Sequence, residues 1–119
     1  MCGSTRFKQE FLNVNKWLTL QGNVVISTCL FENNETISSE EKDLLDEIHK
    51  VKIDLANEIF VINVGGYIGK STKNEMEYAD QKGKKIRFYM DEKSDLNIWY
   101  YNFQNRKLSW NKIKNEKNN

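Results

Sequence analysis

Hydrophobic residues along the first half of the chain recur every three or four positions, which is the spacing of amphipathic helices. The first such segment runs from Thr5 to Leu20, and Gly22 is placed to end it. A second helix is predicted from Ser38 or Ser39 to about Asn57. Its expected buried stripe consists of Leu44, Ile48, Val51 and Leu55.

Three shorter segments are predicted to form strands, and the second of them is apolar at every position. They are Asn23–Thr28, Ile59–Ile62 and Lys85–Met90. Strands that are apolar on both faces are typical of parallel sheets, and their alternation with helices predicts an α/β protein with right-handed crossovers. The segment Leu96–Tyr101 fits either a closing strand or one face of a helix. Three apolar residues further on are predicted to dock a last helix: Leu108, Trp110 and Ile113.

A glycine-rich loop follows the strand Ile59–Ile62 and precedes a third predicted helix. That helix begins near Lys73, is capped by Ser71 or Thr72, and stops near Gly83. Parallel sheets bind ligands at the carboxyl ends of their strands, where glycines let the backbone approach a small molecule closely. The residues expected to contact a ligand here are Asn63, Gly65, Gly66, Gly69 and Ser71.

The end of this loop also resembles a phosphate-binding Walker A motif. Gly69-Lys70-Ser71 would be its last three residues, but the motif requires a glycine five positions before Gly69, where the chain has Val64. The spacing therefore argues against a P-loop nucleoside triphosphatase.

Composition limits the classes of function. A chain of 119 residues that is 39% hydrophobic is expected to form one domain. Its net charge of +1 favours neither nucleic acid nor a membrane surface, and no apolar stretch approaches the length of a membrane span. With only Cys2 and Cys29, and no apolar signal segment, we expect a cytoplasmic protein without a disulfide. We expect neither a metal nor a cofactor.

Three features taken together resemble the nucleoside 2-deoxyribosyltransferase-like superfamily, which includes 2′-deoxynucleoside 5′-phosphate N-hydrolases. They are the opening Cys2-Gly3-Ser4-Thr5-Arg6, the strand and loop Ile59–Gly69, and Glu75 followed by Ala79. The chain is most similar to small bacterial and phage members of that superfamily. The resemblance implies a flavodoxin-like three-layer sandwich with a mostly parallel sheet, formed by residues 1–90. Residues 91–119 would be a C-terminal extension packing on the same domain, with a frayed tail.

The resemblance also implies a nucleophilic glutamate on the helix after the glycine loop, which is Glu75. A carboxylate beside an anomeric carbon can displace a nucleobase, hold the sugar as an ester and pass it to water or another base. The implied function is cleavage or transfer of the N-glycosyl bond of a deoxynucleoside or its 5′-monophosphate. The alternative is that Glu75 only complements the positive end of a helix.

The loop Gly3-Ser4-Thr5-Arg6 corresponds to the segment that holds the 5′-phosphate in the resembling hydrolases. A hydroxyl, a guanidinium and the N–H groups of a helix start make an ordinary anion site. Alternatively, Ser4 or Thr5 caps the helix and Arg6 is a solvated surface charge.

The chain departs from the family at the second acidic residue, which the family carries on the helix before the central strand. His49 occupies that position. A histidine can donate the proton that a leaving base needs, because its pKa lies near neutrality. Asp46 and Asp54, one turn to either side, are the substitutes.

The first strand is a second departure, since only Met1 precedes Cys2 where the family has several apolar residues. We expect a truncated strand and a gap in the sheet between Val24–Ile26 and Phe60–Ile62, with a cost for each unpaired buried peptide group. The recorded start would then be an internal methionine, another segment would fill the gap, or the domain would be degraded. We favour the first explanation.

Two other classes of function stay open. One is a nucleotide-binding or sensing module without turnover, and the other is a structural protein with a vestigial pocket. An acid partner near Glu75 separates a catalytic site from a sensor, because only the former needs one. A homo-oligomer is compatible with each of the three classes.

Overall fold

The computed structural model describes residues 1–28 and 36–117, with side chains described as far as residue 106. These residues form an open, all-parallel sheet of three strands in the order β1 (Cys2–Gly3), β2 (Glu58–Ile62) and β3 (Lys85–Phe88). The same described residues contain four α-helices: α1 (Lys8–Leu20), α2 (Ser39–Leu55), α3 (Lys70–Gln81) and α4 (Tyr89–Lys117). The predicted α/β class with a parallel sheet is confirmed.

A side chain caps the start of α2, but none caps the start of α3. Ser38 caps α2 in a capping box, in which its hydroxyl accepts from the Glu41 N–H and its own N–H donates to the Glu41 carboxylate. At α3 the cap residue is Gly69, and no side chain caps that helix. Ser71 and Thr72 lie inside the first turn, so their prediction as caps is wrong.

The strand β2 divides the core, because its successive side chains point to opposite faces. Phe60 and Ile62 pack with the buried face of α1 and with Leu96 of α4. Ile59 and Val61 pack on the other face, against a cluster completed by Cys2, Ile53 and Ala79.

The predicted buried stripe of α2 is wrong. Its residues are 44–72% exposed: Leu44, Ile48, Val51 and Leu55. The helix packs through the opposite face, where Ile53 is only 3% exposed. Both faces carry apolar residues at helical spacing, and periodicity does not say which of the two meets the sheet.

The segment Asn23–Thr28 does not form the predicted strand. A strand needs a ladder of hydrogen bonds, and the neighbouring β1 is only two residues long. Two hydrogen bonds join the segment to Met1: the Met1 amino group donates to the Ile26 carbonyl at 2.8 Å, and the Thr28 hydroxyl donates to the Met1 carbonyl at 3.1 Å. A cavity of about 400 Å³ lies between this segment and the start of β2, at the place of the expected gap.

The segment Leu96–Tyr101 belongs to α4, and Leu96 is buried against the sheet. Arg87 of β3 anchors this helix, since its guanidinium donates two hydrogen bonds to the Glu92 carboxylate and one to Glu58 of β2. Leu108, Trp110 and Ile113 belong to α4, but their predicted contacts lie beyond the described side chains, and Cys29 lies outside the described residues. None of the described helices is both long and apolar enough to cross a bilayer.

Candidate functional site

A second cavity, of about 450 Å³, opens beside the carboxyl end of β1. Three parts of the chain supply most of its walls: the loop Gly3–Thr5, the helix α2 through Asp46 and His49, and the start of α3 from Gly69 to Thr72, with Glu75 one turn further along. The volume is in the range of small-molecule sites, roughly 300–1,000 Å³. Polar and charged side chains dominate its lining.

His49 and Glu75 meet on the wall of this cavity. The Nδ1 atom of His49 lies 3.6 Å from Oε1 of Glu75, and the two side chains are 14% and 17% exposed. Glu75 is the sixth residue of α3, whose first turn contains no acidic residue. A helix dipole acts mainly within the first turn, so complementing the helix end does not explain this carboxylate.

The thiol of Cys2 completes a cluster with these two side chains. Its Sγ atom, an imidazole nitrogen of His49 and a carboxylate oxygen of Glu75 all lie within 4.8 Å of one another. Cys2 is 2% exposed and its thiol lies beside the Glu75 carboxylate. The sequence motif contains Cys2 but does not indicate this contact, which depends on the pairing of Cys2 with Val61 across the sheet.

Burial sets the protonation behaviour of the cluster. Desolvation raises the pKa of the Glu75 carboxyl, while the neighbouring His49 imidazole and Cys2 thiol oppose that rise. Desolvation also raises the pKa of the Cys2 thiol to about 12, and the neighbouring Glu75 charge adds to this effect. Cys2 is therefore a neutral thiol at neutral pH in the absence of a bound metal ion.

Ser4 and Arg6 lie together at the rim of the cavity. The Arg6 Nε donates to the Ser4 hydroxyl at 3.2 Å, and the guanidinium sits 3.9 Å from the centre of the Tyr67 ring. Tyr67 and Ser4 both line the cavity. Because α1 starts only at Lys8, after the cap residue Phe7, Ser4 does not cap that helix as one interpretation held.

The remaining candidates divide between the cavity and other places. Gly3, Gly69 and Ser71 line it. Gly3 has φ +150°, and a Cβ there would lie 2.9 Å from the Ile62 carbonyl oxygen, so the tight approach of β1 to β2 requires glycine.

Asn63, Gly65 and Gly66 do not line the cavity. The Asn63 side-chain oxygen accepts from the Met90 N–H at 3.0 Å, at the start of α4. Gly65 and Gly66 lie in a 3₁₀ turn, Val64–Gly66, with positive φ angles.

Asp54 also lies apart from the cavity and accepts a hydrogen bond from the Tyr78 hydroxyl at 2.7 Å. Asp46, the other substitute, lines the cavity together with His49.

Two lysines that sequence reasoning missed also line the cavity. Lys42 lies on α2, where it pairs with Asp46 at 3.8 Å, and Lys70 is the first residue of α3. The capping sequence of α2 and the glycine before Lys70 are local signals in the sequence. The sequence does not indicate that the two helix starts lie next to each other. Lys70 supplies positive charge to the cavity wall, and Arg6 supplies it beside the lining residues Ser4 and Tyr67, which suits this side to an anion.

No protein-family model, curated protein or solved structure matches this chain. Function is therefore inferred from the chemistry of the cavity. It combines a desolvated carboxylate, an imidazole in contact with it and a cationic rim, which together can carry nucleophilic and acid–base steps on an anionic small molecule.

Proposed function

We propose that this protein cleaves or transfers the N-glycosyl bond of a deoxynucleoside or a deoxynucleoside 5′-monophosphate, with Glu75 as the nucleophile. The observation that carries the proposal is the contact between His49 and Glu75 on the wall of a small-molecule cavity. It supplies the acid partner that separates a catalytic site from a sensor. The resemblance of the opening loop and the glycine loop to the deoxyribosyltransferase-like superfamily supports the same chemistry.

In the first step a Glu75 carboxylate oxygen attacks the anomeric carbon of the sugar. The bond from that carbon to the base nitrogen breaks, a carbon–oxygen bond to Glu75 forms, and His49 gives its proton to the departing base. The absence of a 2-hydroxyl on the sugar makes the positive charge at the anomeric carbon easier to form. A site with few catalytic groups is sufficient for such a substrate.

In the second step water or another base attacks the sugar ester. The ester bond breaks, the Glu75 carboxylate is restored, and the proton of the attacking group returns to His49. The partial burial of both side chains supports this assignment, because electrostatic interactions are stronger where water is excluded.

The 5′-phosphate is assigned to the rim formed by Ser4 and Arg6. The hydroxyl and the guanidinium already contact each other, and stacking on Tyr67 holds the guanidinium in place. Lys70 at the start of α3 adds positive charge on the neighbouring wall.

The proposal includes a flavodoxin-like arrangement of three layers, which the two apolar clusters on opposite faces of β2 support. It also includes a cytoplasmic location and a nucleoside or nucleotide as the small-molecule partner. Assembly into a homo-oligomer is compatible with the apolar face of α2 that is exposed to solvent.

Incubating the purified protein with a panel of deoxynucleosides and their 5′-monophosphates, followed by chromatography for free base, tests the proposal. We expect release of at least one base, and transfer to a second base when one is supplied. Tight binding of a nucleotide without release of base would favour the sensing module instead. If no compound of the panel binds or releases base, the proposed function is wrong.

A further inference from the structure

The cluster of Cys2, His49 and Glu75 has the donor set of a transition-metal site. A thiolate, an imidazole and a carboxylate are all ligands of Zn²⁺, whereas Mg²⁺ and Ca²⁺ prefer oxygen ligands alone. Each of the three residues comes from a different element: β1, α2 and α3. Such a set is held by the fold and does not depend on the mobility of one loop.

The geometry of the cluster is close to that of a bound ion. Ligand bonds of about 2.0–2.3 Å in a tetrahedral site place neighbouring donor atoms roughly 3.3–3.8 Å apart. Nδ1 of His49 and Oε1 of Glu75 are already 3.6 Å apart, and all three donors lie within 4.8 Å of one another. Contraction by about an ångström at Cys2 brings the set to ligand distances.

The surroundings leave one coordination position free. His49 and Glu75 face the cavity of about 450 Å³, whereas Cys2 lies behind them at 2% exposure. Three protein ligands with an open fourth position are the arrangement of exchangeable and catalytic zinc sites. The Met1 ammonium lies close to Cys2 and Glu75, and the thiolate donor favours Zn²⁺ over a hard cation.

We propose that Zn²⁺ binds to Cys2, His49 and Glu75 and that the bound ion switches off the glycosyl chemistry of the same cavity. Binding displaces the thiol proton to solvent and engages the Glu75 oxygen that would attack the sugar. The metal site itself stands on the geometry alone. Inhibition rests in addition on the proposed function.

Cobalt is the probe, because Co²⁺ replaces Zn²⁺ in such sites and gives visible absorption and a thiolate-to-metal charge-transfer band. The full chain is treated with EDTA, desalted and titrated with Co²⁺, and Zn²⁺ is then added to displace the colour. We expect one equivalent of Co²⁺ and a charge-transfer band that Zn²⁺ abolishes. A folded wild-type protein that gives no such band would overturn the metal site.

Variants show which side chains bind the ion. Cys2→Ser should lose the charge-transfer band, and His49→Ala should weaken Co²⁺ binding by at least about tenfold. If Cys2→Ser does not fold, the weaker Co²⁺ binding expected of His49→Ala still tests the site. The controls Cys29→Ser and Glu77→Gln should bind as the wild type does. A band that survives in Cys2→Ser but disappears in Cys29→Ser would contradict the assignment.

Base release measured with EDTA and with excess Zn²⁺ tests the inhibition. We expect zinc to suppress release and EDTA to restore it. In Cys2→Ser, which keeps both catalytic groups, the zinc concentration that half-inhibits release should rise at least about tenfold. Unchanged release at zinc concentrations that displace Co²⁺ would overturn the switch. If the cobalt spectra behave as expected but no substrate releases base, the metal site is supported and the proposed function fails.

Discussion

The imidazole of His49 lies 3.6 Å from the carboxylate of Glu75, although the two residues belong to different helices. Both side chains are largely removed from solvent, and the Glu75 carboxylate bears a desolvation cost that only the neighbouring donors reduce. Side chains held in an unfavourable environment of this kind are common at functional sites. The pair is the centre of the first prediction.

Glu75→Gln should abolish base release, because the amide is not a nucleophile. The melting temperature should stay within a few degrees of the wild type or rise, since the substitution removes a desolvated charge and keeps the shape of the side chain. Both quantities are measured in EDTA, by free-base chromatography and by thermal unfolding. Glu77→Gln, on the same helix, is the matched control. Wild-type turnover in Glu75→Gln would remove Glu75 from the mechanism.

Arg6→Ala should raise KM for a deoxynucleoside monophosphate by about ten- to a hundredfold, which corresponds to roughly 1.5–3 kcal/mol for a charged hydrogen bond. The unphosphorylated nucleoside should be nearly unaffected, because it offers no anion to this rim. Steady-state kinetics on the two substrates give the comparison, with Arg106→Ala on α4 as the control. Equal losses for both substrates would show that Arg6 only supports the loop and Tyr67.

The packing of α2 gives a prediction about stability. Ile53→Ala should lower the free energy of unfolding by about 2–5 kcal/mol, because it removes a buried side chain from the cluster on this face of the sheet. Val51→Ala, two residues earlier, should change it by less than about 0.5 kcal/mol, since Val51 is 51% exposed. Urea unfolding of both variants measures the difference. The reverse order would mean that the predicted stripe, and not Ile53, faces the core.

Much of the secondary structure was predictable because it depends on local signals. The apolar run of β2 and the capping serine of α2 both act within a few residues of themselves. The face of α2 that packs was not predictable, because Val51 and Ile53 both fit helical periodicity. Packing chooses between such faces through contacts that are distant in sequence.

The candidate site shows the same division. The loop at Ser4 and Arg6 and the helix carrying Glu75 were indicated by motif and spacing, and the structure places them around one cavity. The contact of Cys2 with Glu75 and the convergence of Lys42 and Lys70 depend on sheet register and helix docking. No local pattern encodes those relations.

The cavity of about 400 Å³ between Asn23–Thr28 and the start of β2 leads to the last prediction. The strand β1 pairs with β2 through Cys2 opposite Val61 and Gly3 opposite Ile62. Among the described residues, Glu58–Phe60 therefore has no strand partner on that side. An engineered extension of four residues before Met1, such as Val-Ile-Val-Ile, would continue β1 in parallel register along this edge. It would also replace the partly buried Met1 ammonium by an amide that keeps the hydrogen bond to the Ile26 carbonyl.

We expect this extension to raise the free energy of unfolding by about 1–3 kcal/mol, roughly the burial of one or two aliphatic side chains. A Gly-Ser-Gly-Ser extension of the same length is the control, since it also removes the ammonium but contributes no apolar surface. Urea midpoints of the three proteins, with gel filtration to compare their association, give the result. If the apolar extension stabilises no more than the Gly-Ser extension, the added residues do not enter the cavity, and the edge of β2 is not a site for strand pairing.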